Sequence, residues 1–178
     1  MRTLSSLLLT TLVLVSGCVA GADSEEGGTI DEALAPDADD AERDAEFAAQ
    51  LDGKADAALT HVAVAKLAKA AGVSCSGDRL ALAVAIAQAE SGLRPKAFLV
   101  NKTPSGTYNG TDRGLWQINS KYHPNVSDEC AYSPSCNARA MARISVNGTK
   151  WTPWWTFKNG KHRPFMSDAR AAAAAVCS

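Results

Sequence analysis

The strongest structural signal in the sequence is an alanine-rich helix that begins after Asp78 and ends at Gly92. Asp78 is a good N-cap, alanine and leucine dominate residues 79–89, and glycine commonly ends helices. Glu90, the only acidic residue of this helix, falls in its last turn. The negative helix end and the apolar neighbours both favour the neutral acid, so we expect a raised pKa for Glu90. A general acid needs such a pKa.

A second carboxylate lies in the segment that follows. Residues 110–120 read GTDRGLWQINS, and Asp112 follows Glu90 by 22 residues. Residues 98–110 connect the two acids and are rich in Asn, Thr, Ser and Gly, which predicts a loop or hairpin with a turn at residues 108–111. Two carboxylates therefore belong to one compact stretch of chain.

These two segments together resemble the active-site core of the lysozyme and lytic-transglycosylase superfamily. The shared pattern is Glu-Ser on a helix, followed by Gly-Leu-Trp-Gln-Ile at residues 114–118. Asp112 before the glycine and Asn119-Ser120 after the isoleucine are closer to animal-type lysozymes than to lytic transglycosylases, which generally have no second carboxylate there. The resemblance implies an α+β, mainly helical lysozyme-like fold with a small β-hairpin subdomain and an active-site cleft.

The resemblance also implies a reaction. The protein would be a peptidoglycan glycosidase that cleaves the β-1,4 bond between amino sugars, with chitin oligosaccharides as a second candidate substrate. Glu90 would protonate the glycosidic oxygen, while Asp112 attacks or stabilises an oxocarbenium-like centre. The distance between the two carboxyl groups, which separates retaining from inverting glycosidases, does not follow from the sequence.

Four further residues are candidates for substrate binding. Asn101 matches a cleft asparagine of the family, and Gln117 and Asn119 alternate with Ile118, so their amides could face a cleft. Structural hydrogen bonding across a hairpin explains these two amides nearly as well. Trp151 begins a Trp-x-x-Trp segment that resembles the lysozyme segment beside the catalytic acid, so we expect Trp151 to desolvate Glu90 and form a cleft wall.

Two other functions remain open from the sequence. A lytic transglycosylase would use Glu90 alone and form an anhydro sugar, whereas a non-catalytic wall-binding or inhibitory lipoprotein would keep only the fold. The presence of both acids argues against the last of these. No Gly-rich phosphate loop, nucleophile elbow or metal-ligand spacing around the three histidines is found in the sequence, so we expect no cofactor or metal.

Four cysteines of the C-terminal part indicate disulfides in an exported domain. An even number allows three pairings of Cys75, Cys130, Cys136 and Cys177. Cys130 and Cys136 flank a natural small loop, which leaves Cys75 and Cys177 to join the two ends of the domain. Animal lysozymes use more bridges, including one from the catalytic helix, and residues 79–89 contain no cysteine here.

The N-terminus indicates export. Residues 1–17 have the basic start and apolar run of a signal peptide, and Val-Ser-Gly-Cys at residues 15–18 resembles a bacterial lipobox. In bacterial lipoproteins with this motif the cysteine, here Cys18, becomes the lipidated N-terminus. Val19 is not the aspartate associated with inner-membrane retention, so the outer membrane is favoured. An ordinary signal peptide with an incidental cysteine is the alternative. Either interpretation places the protein in the bacterial cell envelope or outside the cell.

Charge separates the rest of the chain into two parts. Residues 18–56 hold thirteen acids against Arg43 and Lys54, whereas residues 57–178 hold fifteen Lys and Arg against six acids. The acidic part predicts a disordered tether, and we regard a spacer as more plausible than a segment that folds back onto the domain. The basic part predicts one compact, monomeric catalytic domain. Its charge suits a polyanion such as peptidoglycan, and no nucleic-acid partner is expected.

Three more helices complete the expected domain. The first has Leu59, Val62, Lys66, Leu67 and Ala70 on one face, with Lys66 and Lys69 free to reach solvent, and ends at Gly72. The second begins at residue 137 and ends at residue 144, and the third covers residues 169–176 after an N-cap at residue 167.

Overall fold

The computed structural model describes Leu34 and residues 57–178. The signal peptide at residues 1–17, the lipidation site Cys18 and the rest of the tether at residues 18–56 lie outside the described residues. The domain is mainly helical with one two-stranded antiparallel sheet, so the expected α+β fold class is confirmed. Within the described ranges, no helix combines the length and the apolar character needed to cross a bilayer.

The elements follow in the order helix, helix, hairpin and then four helices. Their bounds are α1 His61–Ala70, α2 Arg79–Ser91, β1 Phe98–Lys102, β2 Tyr108–Arg113, α3 Asp128–Tyr132, α4 Pro134–Ile144, α5 Trp155–Lys158 and α6 Met166–Cys177, with a 3₁₀ turn at Arg163–Phe165 between the last two.

Helix α2 forms the centre of the domain. It packs against both α1 and α6, which also contact each other, and Leu80, Val84 and Ile86 are almost completely buried. Alanines fill five of the other ten positions, and such small side chains let neighbouring helices approach closely. The helix ends at Gly92, which adopts the left-handed conformation (φ 63°) that glycine accommodates without strain. The end of α2 therefore lies at a fixed position inside the fold.

The expected face of α1 is right only in part. Leu59 and Leu67 are buried and Lys66 reaches solvent as expected, but Val62 is 38% exposed and Ala70 is exposed too. The buried face includes Val64 and Ala68 instead. Asp78 also differs from expectation because its side chain does not cap α2. Its carboxylate instead accepts two hydrogen bonds from Arg170 on α6, at 3.0 and 2.7 Å.

The hairpin turns earlier than expected. Residues 103–107 connect β1 to β2, and the Asn-Gly pair expected to form the turn lies within β2. Gly110 has φ 92°, and a Cβ there would lie 2.4 Å from Oδ1 of Asn119. This glycine is therefore needed for close approach of Asn119. In the ladder, Leu99 pairs with Asp112.

The last helices extend beyond their expected limits. Helix α4 begins at Pro134, where Ser133 caps it by accepting from the N–H of Cys136 at 3.1 Å. Helix α6 begins at Met166, directly after the 3₁₀ turn, so Ser167 is not an N-cap.

Two disulfides link these elements. Cys75–Cys177 joins the loop before α2 to the end of α6, and Cys130–Cys136 joins α3 to α4. The first closes 102 residues of chain and the second only 6.

Leu34 is buried against the domain, although it belongs to the segment expected to be disordered. It is 6% exposed and forms an isolated parallel bridge with Val126. At this residue the acidic segment is in contact with the fold.

Candidate active site

A cleft of about 480 Å³ opens beside the C-terminal end of α2. The hairpin, the loop after it and the start of α5 form its other walls. The side chains that line it are Glu90, Asn101, Asn109, Asp112, Gln117, Ile118, Asn119, Tyr122, His123, Ile144, Pro153, Trp154 and Trp155. Five of the six expected catalytic and substrate-binding residues are therefore brought together: Glu90, Asp112, Asn101, Gln117 and Asn119.

Glu90 enters the cleft from the last turn of α2 and is partly buried. Burial raises the pKa of its carboxyl group, and the nearby negative charge of Asp112 raises it further. The side chain and backbone of Thr156 and the charge of Lys161 act in the opposite direction on the same pKa. Desolvation is the largest of these effects, so the neutral acid is favoured relative to a carboxyl group in water.

Thr156 holds the Glu90 side chain in place. Its hydroxyl donates to Oε1 of Glu90 at 2.5 Å, and Thr156 itself is buried in the first turn of α5. The backbone of Thr156 also hydrogen-bonds this carboxyl group. The contact joins residues 66 positions apart in sequence, so it fixes α5 against the end of α2.

Asp112 is oriented by an amide. Nδ2 of Asn119 donates to Oδ1 of Asp112 at 2.7 Å, while Oδ1 of Asn119 accepts from the backbone N–H of Lys121 at 2.9 Å. The second bond leaves the NH₂ group of Asn119 directed at the carboxylate. Gly110 provides the space for this arrangement. Asn119 thus contacts Asp112 directly, in addition to lining the cleft.

Gln117 also has a structural role. Its Nε2 donates to the carbonyl oxygens of Ala97 (3.0 Å) and Gly114 (2.9 Å), and its backbone has φ 48°. Both N–H groups of the amide are consequently used within the protein, which leaves its carbonyl oxygen to accept from a ligand. Asn101 lines the cleft from β1.

The expectation that Trp151 forms a cleft wall was not met. Trp151 is 4% exposed and is not among the lining residues; it packs against Trp154 with ring centroids 5.3 Å apart. Trp154 and Trp155 line the cleft instead. Nε1 of Trp154 donates to the carbonyl of Trp116 at 2.8 Å, so its ring is fixed. Trp155 is 66% exposed, with the ammonium of Lys158 5.2 Å from its ring centroid.

Several cleft residues were missed from the sequence. Tyr122 and His123 lie just after the resembling motif, and Asn109 lies in β2, where its Oδ1 accepts from Nζ of Lys121 at 2.6 Å. The pKa of His123 is lowered, first by burial and then by the positive charge of Arg113. Their nearness to the motif was the only available signal. No sequence signal pointed to Thr156, because its partner Glu90 lies 66 positions away.

Comparison with known families identifies one match. A family described as lysozyme-like domain matches residues 65–156, which is just over half of the chain and includes Glu90, Asp112 and the start of α5. No curated protein and no solved structure matches the chain. Among residues 57–178 and Leu34, no group of three or more His, Cys, Asp or Glu is arranged to hold a metal ion.

Proposed function

Because this chain belongs to the lysozyme-like domain family, we propose that it is a peptidoglycan glycosidase that cleaves the β-1,4 bond between amino sugars. The single observation that carries the proposal is Glu90, a partly buried acid with a raised pKa that lines the cleft. The cleft offers amide groups and an exposed indole, which suit the hydroxyl, N-acetyl and apolar faces of a sugar. The net positive charge of residues 57–178 supports binding to an anionic polymer.

In the proposed reaction Glu90 is the general acid. A protonated Glu90 delivers its proton to the oxygen of the glycosidic bond as that bond breaks, and the electron pair of the bond leaves with this oxygen. Thr156 keeps the carboxyl group in one orientation throughout. Water then attacks the sugar carbon and restores the proton to Glu90 in the second half of the reaction.

Asp112 is proposed as the second carboxylate. Its negative charge in the same cleft would stabilise the positive charge that develops on the sugar ring, either directly or by forming a covalent bond. Asn119 supports this role because its hydrogen bond fixes the carboxylate orientation. A carboxylate held this way is oriented before the substrate binds, so it can stabilise the transition state without reorganising during the reaction.

The same hydrogen bond also favours a second candidate, a lytic transglycosylase. Asp112 and Asn119 together connect β2 to the following loop, so a purely structural role explains Asp112 as well. In that reaction Glu90 alone handles protons, and the hydroxyl of the substrate itself closes an anhydro ring.

One experiment separates these candidates. The chain from residue 19 onward, with oxidised cysteines, is incubated with purified peptidoglycan, and the products are identified by mass spectrometry beside Glu90→Gln and Asp112→Asn variants. Fragments with reducing ends that require both acids support the glycosidase. Anhydro ends that persist in Asp112→Asn identify a transglycosylase. A folded protein that binds the wall but releases no fragments would refute both and leave a non-catalytic binding protein.

Export and anchoring remain part of the proposal. Residues 1–17 would be the signal peptide, Cys18 the lipidated N-terminus, 18–56 the tether and 57–178 the catalytic domain, which suits an outer-membrane lipoprotein. Labelling with a radioactive fatty acid tests this, since Cys18→Ala should abolish incorporation. Incorporation that survives this substitution would contradict the assignment.

A further inference from the structure

Leu34 is held on the folded domain by two backbone hydrogen bonds and by the burial of its side chain. Its N–H donates to the carbonyl of Asn125 at 2.7 Å, its carbonyl accepts from the N–H of Ser127 at 3.1 Å, and its side chain is 6% exposed. The two hydrogen bonds flank Val126 and form one rung of a parallel β-ladder. Both backbone groups of one residue in the acidic segment are therefore satisfied by the domain. This is how an extended peptide adds to a binding surface.

The side chain of Leu34 forms one wall of a groove of about 420 Å³. Ala71 after α1, Ala142 on α4 and the following Val146 give the groove an apolar lining, and Arg139 and Arg143 on α4 add positive charge. The buried side chain of Leu34 therefore lies near small apolar residues, and the two arginines add a positive charge that suits an acidic peptide.

The sequence around Leu34 has this composition. Residues 31–46 contain eight acids and one basic residue, Arg43. Leu34 is one of only two leucines between residues 19 and 56, the other being Leu51. Opposite charge on the segment and on α4 would favour their association at low salt.

We infer that the acidic segment is an intramolecular ligand of the domain, with Leu34 as its anchor beside this groove and with the negative charge of the surrounding sequence attracted to the positive charge of Arg139 and Arg143. Covalent linkage makes a single anchor sufficient, because the effective concentration of a tethered segment is high. Asn125, Val126 and Ser127, which pair with the backbone of Leu34, do not line the cleft, so the inference does not depend on the proposed reaction. The Leu34 contact nevertheless adjoins the cleft, since the N–H of Val126 donates to the carbonyl of the cleft residue His123 at 3.1 Å.

Amide hydrogen exchange measured by NMR on the chain from residue 19 onward tests the inference. The amides of Leu34 and Ser127 should both be protected, and Leu34→Gln should speed exchange at Ser127 by about tenfold or more, since its acceptor leaves. Leu51→Gln is the matched control and should leave Ser127 unchanged. Amides of α2 should exchange equally in all three proteins, which shows that the domain remains folded.

Ionic strength and protein concentration provide the remaining arms. High salt should reduce the protection of Leu34, because the acidic flanks are screened. The inference is overturned if the Leu34 amide exchanges as fast as an unstructured peptide, or if Leu34→Gln has no effect on Ser127. Protection that rises with protein concentration would assign the groove to a second copy of the chain and would overturn the intramolecular assignment.

Discussion

Replacing Thr156 by valine should shift the pH dependence of activity upward. The Thr156 hydroxyl donates to Glu90 at 2.5 Å and lowers the pKa of that carboxyl group against the larger effect of burial. Valine keeps most of the volume but cannot donate, so the ionised form of Glu90 loses a stabilising partner. Because a general acid works only when protonated, the limb on which activity declines with rising pH should move to higher pH.

The size of the effect follows from the hydrogen bond. A bond to a charged group contributes about 1.5–3 kcal/mol. The backbone of Thr156 continues to stabilise the carboxylate, and Glu90 keeps some contact with water, so we take the lower end. About 1.4 kcal/mol changes a protonation equilibrium tenfold. On the declining limb, the activity of Thr156→Val relative to its own maximum should therefore exceed the wild-type ratio by up to about tenfold.

The assay is kcat/KM measured across pH on soluble peptidoglycan fragments, with each profile normalised to its maximum. Thr156→Ser retains the hydroxyl and should reproduce the wild-type profile, which separates the hydrogen bond from a packing defect. A ¹³C titration of the Glu90 carboxyl group gives the same information without turnover. A Thr156→Val profile that overlays the wild type, or moves to lower pH, would refute the reasoning.

Three further predictions concern stability and binding. Glu90→Gln should raise the melting temperature at neutral pH. Because the pKa of Glu90 is raised in the folded protein, protonated Glu90 contributes its full stability below about pH 4, and this contribution is lost as the pH rises. Calorimetry should therefore find that the difference in melting temperature between variant and wild type vanishes in acid. Replacing Cys75 and Cys177 together by serine should cost about 4–5 kcal/mol in urea unfolding, and a loss below about 1 kcal/mol would contradict the loop-closure estimate. Trp155→Ala should raise KM about tenfold with melting nearly unchanged, whereas Trp151→Phe should leave KM unchanged.

The sequence predicted those parts of the site that depend on local patterns. The position of Glu90 followed from an apolar helix that ends at a glycine, and the motif at residues 110–120 placed Asp112, Gln117 and Asn119 near it. Both signals are local: Glu90 lies at a helix end and Asp112 in a strand, where the backbone fixes the side-chain direction, and Gln117 and Asn119 follow within the next few residues. The fold class followed from the same residues through the family resemblance.

The remaining parts depend on contacts between distant segments. Trp151, Trp154 and Trp155 are chemically identical, yet the first two are buried and the third is exposed, a difference that tertiary packing decides. The Asn-Gly pair in β2 has the composition of a turn, yet Gly110 is required by Asn119, which belongs to the next segment. Likewise, Leu34 lies in a segment whose average composition predicts disorder, and average composition does not indicate that a single leucine is buried.

The anchoring of Leu34 also limits how far the domain can travel. An extended chain spans at most about 3.5 Å per residue. If Cys18 carries a lipid, residues 18–57 would let the domain reach about 135 Å from the membrane, whereas a chain held at Leu34 leaves only residues 18–34, or about 55 Å. Release of Leu34 would more than double the distance from the membrane at which the cleft can reach the wall. The contact of Leu34 with the domain would therefore determine this distance.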